Sequence, residues 1–186
     1  MDENIAEVVF DPDAKRIVRV TFYRDHLRFR CKRCAVFCCK LGGPVLVKSD
    51  MERAELAGHR LEDFLEATVD PKFKCLPVMV GNLKNNKDGS CVFLKSSSKR
   101  GVYECPIYDS RPARCRLYPF DFERVISNSF TLKLIPCCNG LNAEDGELVN
   151  ENFVMKHLFN ALLDLFDEEI HLRCVKNCAR KRASNI

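Results

Sequence analysis

The chain has 186 residues, of which 12 are cysteine, several times the usual share of this residue in proteins. Hydrophobic residues make up 46% and charged residues 30%, which excludes a disordered chain. The length excludes a tiny scaffold that depends on disulfides. The net charge of +4 is too small to indicate a nucleic-acid partner, and no apolar stretch is long enough to span a membrane.

The abundance of cysteine points to metal binding or redox chemistry if the thiols stay reduced. The first residues, 1–4, read Met-Asp-Glu-Asn and lack the basic and apolar regions of a signal peptide. We therefore expect a cytoplasmic protein, in which cysteines bind metals more often than they form disulfides. Disulfides stay open as an alternative, since intracellular proteins of hyperthermophiles do form them.

Two strands joined by a turn are predicted at the start of the chain. Residues 5–10 are rich in apolar side chains, and in residues 16–23 apolar and polar side chains alternate as on a half-buried strand. The intervening residues 11–14, Asp-Pro-Asp-Ala, are a turn signal. Residues 1–28 are therefore predicted to form an N-terminal β-hairpin.

The middle of the chain predicts short helices and strands. The apolar run 44–48 precedes Ser49 and Asp50, either of which can N-cap a helix that Gly58 interrupts, with further helical turns after it. Turn-rich loops then separate a series of short apolar segments. The candidate strands are residues 73–80, 91–94, 102–108, 122–126 and 130–135.

The C-terminal part carries the clearest helical pattern, starting near Asn152. Its apolar residues fall on one helical face, which is expected to pack on the core, and His157 near that face is expected to be a core or boundary residue. The face consists of Met155, Leu158, Phe159, Leu162, Leu165 and Phe166. Residues 141–186 are thus predicted to be a long helix and a basic tail packed on the same domain. The fold class is predicted to be α+β, with small, irregular β elements around a cysteine-ligated metal site.

Four thiols lie within nine residues in the pattern Cys31-x2-Cys34-x3-Cys38-Cys39. The C-x2-C spacing lets two sulfurs converge on one ion, while the backbone between them aims N–H groups at the sulfurs. Lysines and arginines flank the cluster, where they either lower the thiol pKa values or form an ordinary solvated face. We predict that this cluster and distant cysteines set among turn residues bind metal.

The identity of the metal stays open between iron–sulfur and zinc. Zinc sites usually pair two C-x2-C knuckles, or one knuckle with two histidines, but this chain has one knuckle and four scattered histidines. Iron–sulfur clusters accept widely separated cysteines. We therefore favour an iron–sulfur cluster of the 4Fe-4S type and keep zinc as the alternative cofactor.

The segment 111–116, Arg-Pro-Ala-Arg-Cys-Arg, is predicted to be rigid, because its proline fixes φ and biases Arg111 toward an extended conformation. A rigid segment would hold Cys115 while an arginine reaches a thiolate or a carboxylate. Alternatively, the arginines bond backbone carbonyls, or Asp109 and Asp121, inside the fold.

These motifs resemble those of the YkgJ-type cysteine-cluster family, which is described as zinc- or iron-chelating. The opening motif of that family, an aromatic residue followed by C-x2-C-x3-CC, is similar to residues 29–39. Its pattern C-x-I-Y-x2-R-P-x2-C-R-x-aromatic-P-F is similar to residues 105–120. Cys91 before a short apolar segment and Cys138 two residues before a glycine also fit, so that the resemblance covers residues 29–140.

The resemblance implies a cysteine-cluster metal-binding domain over residues 29–140 with eight metal ligands. These are Cys31, Cys34, Cys38, Cys39, Cys91, Cys105, Cys115 and Cys138. The remaining cysteines have no assigned role: Cys75, Cys137, Cys174 and Cys178. Of these, Cys75 is expected to be a buried structural thiol, and Cys174 and Cys178 lie one helical turn apart, where they could ligate a second metal.

The functional hypothesis is an iron–sulfur protein with an electron-transfer or oxidoreductase role and a protein or redox partner. A structural zinc module that binds another macromolecule is the first alternative. The second, implied by relatives that act in flagellin modification, is a protein-lysine methylation factor, although the chain has no recognisable Gly-rich cofactor loop. Neither a membrane nor a nucleic acid is indicated as a partner, and the sequence leaves open whether the protein is an enzyme.

Overall fold

The structure is a computed structural model and describes residues 3–11, 13–66, 81–126 and 128–167. Its strands are β1 (Asn4–Asp11), β2 (Arg16–Phe22), β3 (Arg28–Phe29), β4 (Leu65–Glu66), β5 (Asn82–Leu83), β6 (Lys95–Ser96), β7 (Tyr103–Glu104), β8 (Phe120–Ile126), β9 (Ser129–Leu134) and β10 (Glu147–Leu148). Its helices are α1 (Lys48–Leu56), α2 (Leu61–Phe64), α3 (Ala113–Leu117) and α4, which begins with Glu151–Phe153. The mixture confirms the predicted α+β class.

A four-stranded antiparallel sheet in the order β2-β1-β9-β8 forms the base of the larger core. The predicted hairpin is present, and its strand β1 also pairs with β9, so that the N-terminal hairpin shares one sheet with β8 and β9. Alternate residues Ala6, Val8 and Phe10 of β1 are fully buried. Burial of a Phe side chain such as Phe10 stabilises the fold by about 1.5–3 kcal/mol.

Helix α4 continues through a π-helical turn, Val154–Leu158, and then to residue 167, which confirms the predicted C-terminal helix with a length of 17 residues. The Asn150 side chain caps it by accepting a hydrogen bond from the N–H of Phe153 at 3.0 Å. Its Phe166 ring packs against Phe10 of β1 with the centroids 5.0 Å apart. Met155, predicted to lie on the apolar face, is 41% exposed, because the π-helical turn inserts a residue and rotates Met155 away from the core.

A second, smaller apolar cluster lies beneath the cysteine-rich segments, between α1, α2 and the β4–β5 pair. Its buried members are Leu46, Ala54, Phe64, Leu65, Leu83, Cys91, Phe93 and Ile107. Cys39 and Cys105 pack against this cluster while only partly buried. The apolar side chains of this cluster therefore pack against the cysteines and exclude water from that side of them.

Helix α1 begins at Lys48, and the predicted N-cap at Ser49 or Asp50 is wrong. The N-cap residue is Val47, whose carbonyl accepts from the N–H of Asp50 at 3.0 Å. The Asp50 carboxylate reaches back to the N–H of Val47 at 3.1 Å. The aspartate thus satisfies the helix start from inside the first turn, as an acidic residue can at the third helical position.

Two of the predicted strands are mostly turns. The segment 91–94 folds back on itself, because the N–H of Leu94 donates to the carbonyl of Cys91 at 2.9 Å. In 102–108 only β7 is extended, because the N–H of Tyr108 donates to the carbonyl of Cys105 at 3.0 Å. The predicted strand at 73–80 and the basic tail at 179–186 lie outside the described residues.

No helix in the four described ranges is both long and apolar enough to cross a membrane.

Candidate metal centre

Backbone pairing holds the loop of Cys138 against the strand that leads into Cys31. The N–H of Arg30 donates to the carbonyl of Gly140 at 3.0 Å, next to the ladder that joins β3 and β10. A Cβ at Gly140 would lie 2.2 Å from the carbonyl oxygen of Arg30, so this position requires glycine. The Cys138 sulfur also accepts from the N–H of Gly140 at 3.4 Å. The Cys-x-Gly motif therefore allows a close backbone contact and donates a hydrogen bond to the sulfur.

The segment between Cys34 and Cys39 is a series of tight turns. Arg33 and Ala35 adopt positive φ angles of 51° and 54°, which cost non-glycine residues about 1–2 kcal/mol each. These turns bring the Cys39 thiol within 3.7 Å of the Cys38 sulfur, to which it donates a weak hydrogen bond. The compact arrangement of these cysteines is therefore accompanied by unfavourable backbone conformations at Arg33 and Ala35.

Two distant cysteines are fixed to this loop by backbone hydrogen bonds. The N–H of Cys91 donates to the carbonyl of Cys39 at 2.8 Å. The N–H of Tyr103 in β7 donates to the carbonyl of Arg33 at 3.0 Å, which places the strand before Cys105 against the cysteine loop. These contacts explain how residues far apart in sequence reach one site.

Cys115 lies on α3, and the start of that helix is anchored by Asp50. The fully buried carboxylate of Asp50 accepts from the N–H of Ala113 at 2.8 Å. Burial raises the pKa of Asp50, while its hydrogen bonds and the charge of Arg53 oppose this effect. Arg53 also contacts Asp164 of α4 at 3.0 Å, so that α1, α3 and α4 are joined around Cys115.

Arg111 and Arg116, two of the three arginines of the rigid segment, bond backbone carbonyls, which was one of the two predicted alternatives. Arg111 donates to the carbonyl of Tyr108 at 2.9 Å, and Arg116 donates to the carbonyl of Arg111 at 3.0 Å. The carboxylate partner of Arg116 is Asp164, not Asp109 or Asp121. The sequence does not predict the pairing of Arg116 with Asp164, because no motif connects two residues that lie 48 positions apart.

Arg111 and Arg33 share the ring of Tyr108. The two guanidinium carbons lie 3.8 Å and 4.5 Å from the ring centroid. Both arginines also line a cavity walled by cysteines. Arg111 opposes the effect of burial, which raises the pKa values of Cys105 and Cys115.

We divide the eight predicted ligands into an inner and an outer group, according to the two cavities whose walls they form. The inner group lines a cavity of about 70 Å³ and consists of Cys39, Cys91, Cys105 and Cys115. The outer group lines a cavity of about 50 Å³ and consists of Cys31, Cys34, Cys38 and Cys138. Cys31, Cys38 and Cys115 lie in the walls of both cavities, so the two groups adjoin.

Burial and mutual proximity dominate the electrostatics of the thiols. Burial raises the pKa of Cys115 to about 12, and it also raises the pKa values of Cys91, Cys105 and Cys138. The hydrogen bond from Cys39 lowers the pKa of Cys38 and raises that of Cys39 itself. Crowded, desolvated sulfurs repel one another as thiolates. The positive charge of a bound metal cation would offset that repulsion, and the thiols that coordinate it would therefore lose their protons.

The chemistry of these donors fits a metal that prefers sulfur ligands. All nine cysteines of the described residues are free thiols. In the same part of the chain, no three Cys, His, Asp or Glu side chains lie close enough together to hold a metal ion. The sulfurs therefore line the cavities as separate side chains, and metal binding requires them to move closer together.

The hydroxyl of Tyr118 provides a second observation in favour of a sulfur-bound group. This oxygen is fully buried and has no hydrogen-bond partner among the described residues. The pKa of Tyr118 is raised by burial first and then by nearby cysteines, chiefly Cys138 and Cys137. A buried phenol without an acceptor costs free energy, and a metal-bound thiolate beside it would supply that acceptor.

The cysteines without an assigned role are only partly covered by the structure. Cys137 is exposed and lines the outer cavity, whereas the adjacent Cys138 is half-buried and accepts the Gly140 hydrogen bond. Cys75, Cys174 and Cys178 lie outside the described residues. The eight predicted ligands remain a prediction, and the structure places all of them in the walls of the two cavities.

A comparison with known families places the cysteine-rich part of the chain in a described family. A family model named CxxCxxCC, described as "Putative zinc- or iron-chelating domain", matches residues 30–139, more than half of the chain. The chain belongs to this family. Membership in the CxxCxxCC family confirms the resemblance stated from the motifs, and it supports metal binding by the cysteine domain.

A relative of the chain comes from Methanocaldococcus jannaschii and is named uncharacterized protein MJ0661. The two are 28% identical over 149 residues, an alignment that covers 76% of each chain. No solved structure significantly matches the chain.

Proposed function

We propose that this CxxCxxCC protein binds 4Fe-4S clusters through the thiolates of the inner and outer groups and acts in electron transfer or an oxidoreductase reaction. The observation that carries the proposal is the convergence of cysteines from five separate segments on two adjoining cavities. An iron–sulfur cluster supplies one-electron chemistry when bound. The residues of the chain hold it, shield it from water and compensate its charge.

The surroundings of the thiols favour a redox role over a purely structural one. Arg111 and Arg33 hold positive charge at the inner cavity, and Tyr118 has a hydroxyl free to donate to sulfur. Cationic neighbours and hydrogen bonds to sulfur are the groups by which proteins adjust the potential of such clusters. A structural zinc site needs only four thiolates and a closed tetrahedral shell.

An electron-transfer role implies a redox partner protein and a compartment in which thiols remain reduced, such as the cytoplasm. Phe37 and Leu41 are 41% and 75% exposed on the loop that carries Cys38 and Cys39. These side chains offer an apolar contact surface close to the cluster-binding thiols. A partner that docks there would approach the outer group by a short path.

The decisive experiment is anaerobic purification followed by analysis of iron, acid-labile sulfide and zinc in the same sample. We expect a brown protein with equal amounts of iron and sulfide and a broad visible absorption that bleaches with dithionite. A colourless protein with stoichiometric zinc and no iron would instead support the structural zinc module. In that case chelation should unfold the protein, and zinc alone should restore it.

A further inference from the structure

A larger cleft opens beside the two cysteine cavities. Its volume is about 550 Å³, which lies within the range of about 300–1,000 Å³ that is typical of small-molecule sites. Its walls are formed by residues of β3, β10, the α3 region and the C-terminal helix α4. Cys31 and Arg111 lie in the wall of this cleft and also in the walls of both cysteine cavities. A ligand in the cleft would therefore adjoin the proposed metal site.

Three phenylalanines give the cleft a rigid apolar wall. The ring of Phe29 lies 5.5 Å from that of Phe120 and 6.2 Å from that of Phe153, and the last two rings are 5.5 Å apart, all measured between centroids. The three pairs are arranged edge to face, the favoured geometry for packed aromatic side chains. Phe120 and Phe153 are buried and pack behind the half-buried Phe29, whose ring offers the apolar contact to the body of a ligand.

Cations outnumber carboxylates around the cleft. Asp145 in its wall is shared by Arg30 and Lys32, whose amine lies 2.9 Å from the carboxylate. Arg111, by contrast, pairs with no carboxylate among the described residues, and its only bond there goes to the backbone carbonyl of Tyr108. The remaining N–H groups of its guanidinium are available to an acidic ligand group.

The opposite wall comes from the π-helical turn of α4. Lys156 and His157 in this turn both contact Glu147 of β10, at 3.5 Å and 2.8 Å. His157 contacts the other oxygen of that carboxylate, so Lys156, whose side chain is 65% exposed, has only a long contact to Glu147 and keeps N–H groups for an anion. Single π-helical turns are frequent at functional sites, and this one places its basic residues in the cleft wall.

We propose that the cleft binds a small organic anion, with its carboxylate or phosphate group at Arg111 and Lys156 and its apolar body against the three phenylalanines. The excess of cations favours a ligand with negative charge, and the aromatic wall favours a ligand with an apolar body. The cleft shares Cys31 with the outer group, but the anion binds at Arg111 and Lys156, so its binding does not depend on which metal the thiols hold. Its position next to Cys31 makes the bound anion a candidate reaction partner of the metal site.

The test uses three small probes and the metal-loaded protein purified anaerobically. Benzoate carries both the ring and the anionic group, acetate lacks the ring, and benzylamine carries the ring with a positive charge. Saturation-transfer NMR and calorimetric titration should show benzoate binding, acetate binding at least tenfold weaker, and no benzylamine binding. Equal affinities for benzoate and benzylamine would overturn the proposal.

A charge reversal with a matched control locates the binding. Lys156→Glu should weaken benzoate binding at least tenfold. The control is Lys48→Glu on α1, which makes the same change at a lysine outside the cleft. Lys48 likewise pairs with a glutamate, Glu52, at 3.4 Å. This control should leave the affinity for benzoate unchanged. Equal affinities in the two variants would contradict the proposal. Benzoate that bound a metal ion directly would give this result.

Metal analysis of the same samples separates this proposal from the proposed function. If benzoate fails to bind a protein that contains iron and sulfide, the cleft proposal is wrong and the iron–sulfur proposal stands. If benzoate binds a protein that contains only zinc, the cleft proposal stands and the iron–sulfur proposal is wrong.

Discussion

The carboxylate of Asp50 accepts a hydrogen bond from the backbone N–H of Ala113 at 2.8 Å, across 63 positions of the sequence. The bond joins α1 to the start of α3, the helix that carries Cys115. The same carboxylate pairs with Arg53, and Arg53 pairs with Asp164 of α4. One buried acid thus fixes the position of a proposed metal ligand relative to two other helices.

Replacement of this acid should destabilise the protein strongly. Asp50→Ala leaves the buried N–H groups of Val47 and Ala113 without their acceptor, at a cost of about 1–3 kcal/mol each, while Arg53 keeps Asp164 as a partner. Urea unfolding followed by circular dichroism measures the change. The metal content of the purified variant should also fall, because Cys115 loses its anchor.

Asp63→Ala is the matched control for that variant. Asp63 also pairs with an arginine three residues away, Arg60, at 3.0 Å, but both side chains are mostly exposed. An exposed pair contributes at most about 1 kcal/mol. Similar unfolding free energies for the two variants would show that Asp50 does not carry the role assigned to it.

Gly140→Ala tests the close contact that positions Cys138. The added methyl group would lie 2.2 Å from the carbonyl oxygen of Arg30, so the loop must move away from β3. Overpacking of this kind costs about 1–3 kcal/mol. We expect a lower unfolding free energy, measured in urea, and a selective loss of the metal bound by the outer group.

The control is Gly101→Asn. Gly101 has open space around its Cα and a φ of 77°, which asparagine tolerates better than most residues. This variant should retain the metal content and most of the stability of the parent. If Gly140→Ala behaves like this control, the contact with Arg30 does not position Cys138.

Local patterns predict the elements of this fold, whereas its long-range contacts are not readable from the sequence. The alternation in β2 and the apolar face around Leu158 and Phe166 predict a hairpin and a helix, because burial on one side imposes a period. Cysteine spacing and the family motifs predict the ligand candidates. The pairing of Arg116 with Asp164 depends on how α3 meets α4, and no local signal encodes that contact.

The division of the thiols into two groups also lies beyond sequence reasoning. Cys38 and Cys39 are adjacent in the chain, yet they belong to different groups. Cys38 lines both cavities, whereas Cys39 lines the inner one, where its carbonyl accepts from the N–H of Cys91, a contact between distant segments. Sequence motifs identify the cysteines that are candidate ligands, but they do not predict which cavity each one lines.

Tyr118→Phe should preserve or raise the unfolding free energy of the metal-free protein and lower the reduction potential of the metal-loaded protein. In the metal-free form the substitution removes a buried hydroxyl without a partner, so the unfolding free energy should stay unchanged or rise by about 1–3 kcal/mol. In the iron–sulfur form it removes a donor to sulfur, which should lower the reduction potential. Redox titration of the visible absorption measures the potential, and a purely structural tyrosine would leave it unchanged.

Single cysteine replacements test whether the inner and outer groups hold separate metals. Cys34→Ser in the outer group and Cys105→Ser in the inner group should each remove about half of the bound iron and sulfide, because four thiolates hold one 4Fe-4S cluster. The double variant should remove nearly all of it. Cys137→Ser is the control, since that exposed thiol is not assigned to either group. If either single replacement removes all of the iron, the eight thiols form one site rather than two.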